Sequence, residues 1–159
     1  MKRLVIILTA LAMLAPFSSC KRGQVFREYH KFDNNQWKRV DEDIRFTVDI
    51  EDINDEYDIA IPIRHASFYP HQYLEIGVNI YSPSGQESYA VKKIYLKDRD
   101  GKWKGDGMGD IWDYDFNIYT EYEFNEEGKW IFEIQNLTGN NFYLPGIMEI
   151  GLDVSRTKK

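Results

Sequence analysis

The segment from Leu96 to Asp110 sets four aspartates among glycines, a composition that could bind a metal: Leu96-Lys97-Asp98-Arg99-Asp100-Gly101-Lys102-Trp103-Lys104-Gly105-Asp106-Gly107-Met108-Gly109-Asp110. Asp98-x-Asp100-Gly101 begins like a calcium loop, and Asp106 and Asp110 would add carboxylate oxygens, the ligands that calcium prefers. The loop lacks the glutamate at the twelfth position and the glycine placing of the full signature. The segment therefore reads as a hairpin turn at Asp100-Gly101 followed by glycines that permit positive φ, with the calcium set Asp98, Asp100, Asp106 and Asp110 as the weaker alternative. His30, His65 and His71 have no helical i, i+4 pairing and no cysteine partners that would suggest zinc. His65 and His71 flank Phe68-Tyr69-Pro70 and read as loop or rim residues. The serines form no G-x-S-x-G elbow, and no glycine-rich loop opens a helix. A glycosidase needs two carboxylates about 5 to 10 Å apart across a cleft. Sequence spacing singles out no such pair, and the scattered Asp and Glu read as a solvated surface. The sequence thus assigns no catalytic residue, no metal and no cofactor.

The chain start carries a different chemistry. Met1-Lys2-Arg3 is basic, Leu4 to Leu14 is an apolar run broken by Thr9, and Pro16-Phe17-Ser18-Ser19 leads to Cys20, the single cysteine. A bilayer core needs about 20 apolar residues, so this run reads as a cleaved export signal, residues 1–19, rather than a spanning helix. Phe17-Ser18-Ser19-Cys20 has the form of a bacterial lipoprotein signal, in which cleavage leaves the cysteine first and lipid is attached to its sulfur and amine. Phe17 stands where Leu is usual. Removing Lys2 and Arg3 from the 20 basic residues leaves 18 against 26 acidic ones, a formal charge of −8. That balance excludes nucleic acid as a partner, because binding phosphates needs a positive stripe. With Cys20 consumed by lipid no disulfide can form, and an apolar core must hold the fold.

The elements that follow show a period of two, the signature of strands. Ile44, Phe46, Val48 and Ile50 alternate with polar residues, as do Ile59, Ile61 and Ile63, then Leu74, Ile76, Val78 and Ile80 before the turn Ser82-Pro83-Ser84-Gly85. A strand is expected from about 88 to 96. A long one follows, with Trp112, Tyr114, Phe116, Ile118, Tyr122 and Phe124 on one face, then Trp130, Phe132 and Ile134, and finally Met148, Ile150, Leu152 and Val154. No stretch shows helical spacing over three turns. One-sided alternation at hairpin spacing predicts an all-β fold: eight or nine strands in an antiparallel β-sandwich, jelly-roll or immunoglobulin-like, as a single domain. Pro62 removes a ladder donor, which predicts an edge or bulged strand. Residues 20–36 read as a lipidated tether, and residues 37–159 as the sandwich.

Aromatic residues make up 15% of the chain, and alternation alone leaves open which of their faces is wet. Phe116, Ile118 and Phe124 read as core; Trp112 and Tyr114 stay open as surface contacts near a loop. Arginine and aromatics beside turns are the residue types of interface hot spots. The candidate contact surface is accordingly Arg64, Tyr69, Trp103, Asp110 and Trp112.

Taken together, several short pieces resemble the gliding motility lipoprotein GldH family of the Bacteroidetes over nearly the whole chain. They are the lipoprotein start, Phe32-x-x-Asn35-x-Trp37, Tyr57 with Arg64, Tyr69-Pro70-x-x-x-Leu74, Pro83-x-Gly85, Gly101-x-Trp103-x-Gly105-x-Gly107-x-Gly109-Asp110, Gly128-x-Trp130, and Gly146-Ile147 with Ile150-Gly151-Leu152. The resemblance implies a small envelope lipoprotein, required for surface gliding in motile members and associated there with secretion and motility machinery. It brings no enzymatic activity and no catalytic residues, and relatives also occur in bacteria that do not glide. Surface lipoproteins in such organisms tend to carry acidic residues after the cysteine, whereas Lys21-Arg22-Gly23-Gln24 is basic. The expected location is therefore the outer membrane, held by lipid, on its periplasmic face. The expected function is binding or structural, with another envelope protein or a glycan as partner. The alternative from another class is a carbohydrate-binding module or weak glycosidase on the same sandwich.

Overall fold

A computed structural model describes residues 23–39, 44–139 and 142–158. The strands are β1 (Gln24–Lys31), β2 (Gln36–Lys38), β3 (Ile44–Ile50), β4 (Tyr57–Ala66), β5 (Tyr73–Tyr81), β6 (Glu87–Tyr95), β7 (Asp106–Met108), β8 (Ile111–Tyr122), β9 (Gly128–Asn136), β10 (Tyr143–Pro145) and β11 (Ile147–Arg156). A five-stranded sheet runs β1-β11-β4-β8-β7, a four-stranded sheet β3-β9-β5-β6, and β10 pairs with β2 alone. Every pair is antiparallel.

The topology follows from one long hairpin. Among the long strands β5 pairs with β6, β4 with β8, β3 with β9 and β1 with β11, so each early strand meets its mirror image about the turn at Ser82-Gly85. Rolling that ribbon up interleaves the pairs into two sheets of the observed order, which is a jelly roll rather than an immunoglobulin arrangement. The turn is closed by Gly85 N donating to Ser82 O at 3.0 Å, and Ser84 is tied to Glu126 of the β8–β9 connection through N and Oγ.

The faces alternate as the residue types require. Ile59, Ile61 and Ile63 of β4 and Ile150, Leu152 and Val154 of β11 meet Val48, Leu74, Ile76, Val78, Phe132 and Ile134 from the other sheet, all buried. Phe124 lies edge-on to Tyr57 and Trp130, with centroids 5.2 and 4.9 Å away, and closes one end. Ile118 and Phe124 are buried and Phe116 packs against the core from a half-buried position.

Two expectations change. The segment read as a tether through residue 36 contains β1, whose Phe26 packs edge-on to Phe46 at 6.1 Å. The sequence hides this strand because Glu28 and His30, opposite Leu152 and Ile150, break the apolar alternation on its inner face. Pro62 is not on an edge strand: β4 is third of five. The other alternative holds, since β4 is bulged, although at Tyr57–Ala60 rather than at Pro62 itself. The β4–β11 ladder pairs Ile63 with Ile150 and Ala60 with Asp153, leaving Pro62 between those pairs, where its missing N–H is accommodated.

Candidate functional site

The two ends of the jelly roll differ in what they hold. Chain entry lies at one of them, where Gly23 O accepts from Arg156 N at 2.7 Å beside the β3–β4 connection. Cys20 lies outside the described residues. The other end gathers the β4–β5 loop, the β6–β8 crossover with β7, the end of β9 and the β2–β10 pair. All five candidate contact residues fall at or next to this second end, yet they are not equivalent.

Arg64 points outward from β4, and its Nε and Nη2 donate to the two Asp113 oxygens at 2.7 and 3.0 Å. Nη1 reaches Glu149 Oε1 at 3.4 Å, so one guanidinium ties β8, β4 and β11 together. Asp113, acting first through this hydrogen bond, raises the Arg64 pKa above its ordinary value. The pair is solvent-exposed and its stabilising effect is small. Asp110 accepts from Ser67 Oγ at 3.0 Å, and its carbonyl accepts from Ser67 N at 2.8 Å. It therefore pins the β4–β5 loop to the β7–β8 turn.

Tyr69 is not a surface residue. It is 2% exposed, and its hydroxyl donates to Tyr73 O at 2.8 Å. Burial drives its pKa upward. The Tyr-Pro step turns the chain inward there, because the neighbouring Gly146 leaves room: a Cβ on Gly146 would stand 3.0 Å from Tyr69 Cα. His65, expected at a rim, is fully buried. As an inward position of β4 it lies under Trp103, with ring centroids 4.5 Å apart, and within 6.0 Å of Tyr69. Its Nδ1 is 3.2 Å from Ala66 O and its Nε2 has no partner. Desolvation lowers its pKa.

Trp103 is half-buried, roofing His65 on one face and carrying Lys97 Nζ 4.1 Å from its ring centre. Trp112 is also half-buried and lies against Gly107, where a Cβ would approach its ring to 2.8 Å. Gly107 has ordinary φ, so the ring and not the backbone angle demands glycine. Gly105 is different: its φ is +85° and a Cβ would lie 2.1 Å from Asp113 O. Gly109 has φ +63° in open space.

Asp98, Asp100, Asp106 and Asp110 are not brought together as one set of ligands. Asp98 Oδ1 accepts from the N–H groups of Asp100 and Lys102, both at 2.9 Å, which makes it a turn former. Asp110 is engaged by Ser67. Among the described residues no group of three or more His, Cys, Asp or Glu side chains is placed to hold a metal. A groove of about 390 Å³ runs along the outer face of the five-stranded sheet, between Arg27, Tyr29, Pro62, Arg64 and Asp113. A wider depression of about 660 Å³ continues it past Arg27 and Asp115 toward Asp58 and Arg156. Four carboxylates of this face are ion-paired, Asp115 and Asp153 to Arg27 and Asp113 and Glu149 to Arg64.

This glycine-punctuated crossover, with tryptophans packed over His65 and Gly107, belongs to a known kind of chain. The family model described as GldH lipoprotein matches residues 24–154. The chain belongs to the GldH lipoprotein family. A gliding motility lipoprotein GldH homolog from Christiangramia forsetii is 28% identical over 134 residues, 84% of this chain and 81% of that protein. The gliding motility lipoprotein GldH of Flavobacterium johnsoniae is 24% identical over 143 residues, 90% of this chain and 85% of its own. Among solved structures, a chain from "Structure of infectious bursal disease virus Gx strain" aligns with 84% of this chain and 28% of its own. Its identity is 14% and its TM-score 0.25, too low to read as a likeness of fold. Membership of the GldH family makes this a lipid-anchored protein of the cell envelope.

Sequence reasoning missed Asp113 and Glu149 as the partners of Arg64, and it missed the exposed apolar residues Phe68, Met108 and Ile111 at the same end. Strand alternation could have placed Asp113 and Ile111 on the outer face, opposite in phase to Trp112. No local signal marked Phe68, which sits in a loop one residue before buried Tyr69.

Proposed function

We propose that this chain is a non-enzymatic binding component of the envelope, serving machinery of the kind for which its gliding-motility relatives are named. Lipid on Cys20 holds it at the periplasmic face of the outer membrane. Its contact surface is the loop end of the jelly roll, formed around Arg64, Trp103, Asp110 and Trp112. The observation that supports this most is the gathering of those residues, from three separate stretches of chain, at the end opposite the lipidated terminus. Four carboxylates of the outer face, Asp113, Asp115, Glu149 and Asp153, are paired with Arg27 or Arg64, which favours a scaffold over a hydrolytic pair among them.

The full lipidated chain, purified from detergent-solubilised envelope, tests the reading. A discrete envelope protein should co-purify, and Arg64→Gln or Asp110→Asn, which keeps the acceptor for Ser67 Oγ, should reduce its recovery severalfold while the melting curve stays nearly unchanged. Hydrolysis of an envelope saccharide by the purified protein, or equal recovery with both variants, would refute it.

A further inference from the structure

Large apolar side chains left in water are unevenly distributed over the molecule. Phe68 is 64% exposed, Met108 84% and Ile111 38%, all at the loop end. Met108 and Ile111 are cross-strand partners in the β7–β8 hairpin, and Ile111 is also opposite Ala66 at the end of β4. Ser67, between Ala66 and Phe68, makes both of its hydrogen bonds to Asp110, which fixes the Phe68 loop against the tip of that hairpin. The three residues thus form one patch. In the connections at the tether end, Ile53 is the counterpart among the described residues, amid Glu51, Asp52, Asp55 and Glu56. Folding does not account for the patch: the hairpin needs its glycines, but polar residues at 108 and 111 would satisfy the ladder equally.

We propose that Phe68, Met108 and Ile111 form the docking surface for a second, different protein of the envelope that presents an apolar patch of its own. This rests on the binding reading above and names where it acts. The position of the tether selects a protein as occupant. Only Lys21 and Arg22 separate Cys20 from Gly23, so the lipidated residue lies at most about 10 Å from the domain. The chain enters the fold at the opposite end, and the ten residues of β4 put about 30 Å between the ends. The patch is therefore held at the far end of the domain from the bilayer that carries the lipid. Two copies anchored in one leaflet point their loop ends in the same direction, which disfavours pairing of the patches tip to tip. A protein projecting from elsewhere in the envelope meets it without either obstacle.

The test is photo-cross-linking of the full lipidated protein in its own cells, with benzoylphenylalanine at position 108 and, as control, at position 53. The probe at 108 should give one adduct with a different envelope polypeptide, the probe at 53 none, and Phe68→Asp should abolish the adduct without lowering the melting temperature. Once identified from the cross-linked peptide, the partner should bind the purified lipidated chain at least tenfold more weakly when Phe68→Asp and Ile111→Asp are present. An adduct of twice the chain mass, one with lipid alone, or none at 108 overturns the proposal. Adducts at 53 but not at 108 would discard this patch while keeping the binding function, and absence at both positions together with no envelope protein co-purifying would discard both.

Discussion

Tyr69 shows how one residue changes role once its environment is known. By type and position beside Pro70 it suits an interface, but its ring is enclosed and its hydroxyl is spent on Tyr73 O. Tyr69→Ala should destabilise the fold by about 3 to 5 kcal/mol, the usual cost of emptying a buried aromatic site, and Tyr69→Phe by about 1 kcal/mol for the hydrogen bond alone. Chemical denaturation of the two variants measures the difference, and near-equal stability would return Tyr69 to the surface. His65 gives a pH dependence with a definite sign. Burial under Trp103 lowers its pKa below the ordinary 6.5, so the folded state keeps it neutral while the unfolded chain takes up a proton. The stability it permits is complete above about pH 6.5 and declines as pH falls from there toward the folded pKa. Melting temperatures should fall between about pH 7 and pH 5. His65→Gln should flatten that part of the slope, and an unchanged slope in the variant would count against the assignment.

At the scale of elements, what could be read from the sequence was whatever repeats within a strand. Ile59, Ile61 and Ile63, or Leu74, Ile76, Val78 and Ile80, state their inner face without reference to anything else. β1 could not be read this way, because an edge strand needs few buried residues and its inner face carries Glu28 and His30. The pairing of Arg64 with Asp113 and Glu149 was equally hidden, since it depends on which strands become neighbours when the long hairpin rolls up. Positive φ, expected for the crossover glycines Gly105, Gly107 and Gly109, is found at Gly105 and Gly109 but not at Gly107. At Gly105 positive φ and the close Asp113 carbonyl act together; at Gly107 the Trp112 ring acts alone; at Gly109 only φ matters. Replacement by alanine should therefore cost most at 105, where a backbone atom would be struck, and by more than the 1 kcal/mol or so of φ strain expected at 109. At 107 the loss should be partly recovered when Trp112→Leu is added, a coupling that a double-mutant cycle would reveal. Additive effects at 107 and 112 would contradict the ring-contact explanation.

For the whole molecule, the lipid, the tether and the jelly roll define a direction. Export and acylation at Cys20 would attach one end to a membrane, and β1 begins at Gln24, so the domain starts almost at the lipid rather than after a long flexible arm. A single acyl chain holds a protein only marginally, whereas two or three anchor it stably, so full modification of the cysteine matters to this geometry. The mature protein should begin with a lipid-modified Cys20 by mass spectrometry, and Cys20→Ala should leave the membrane fraction; full retention of the variant would show that something else holds the chain. The proposed placement on the periplasmic face of the outer membrane is testable with protease, because the spacer is short. A domain on the cell surface would expose its loop end, with Phe68 and Phe142 exposed in connections between strands, first of all to the medium. A domain facing the periplasm would be shielded completely until the outer membrane is breached. Protease added to intact cells should leave the protein uncut, and the same protease after osmotic permeabilisation should cleave it at the loop end before the tether end. Prompt cleavage in intact cells would move the protein to the surface and require its partner to be sought outside the cell.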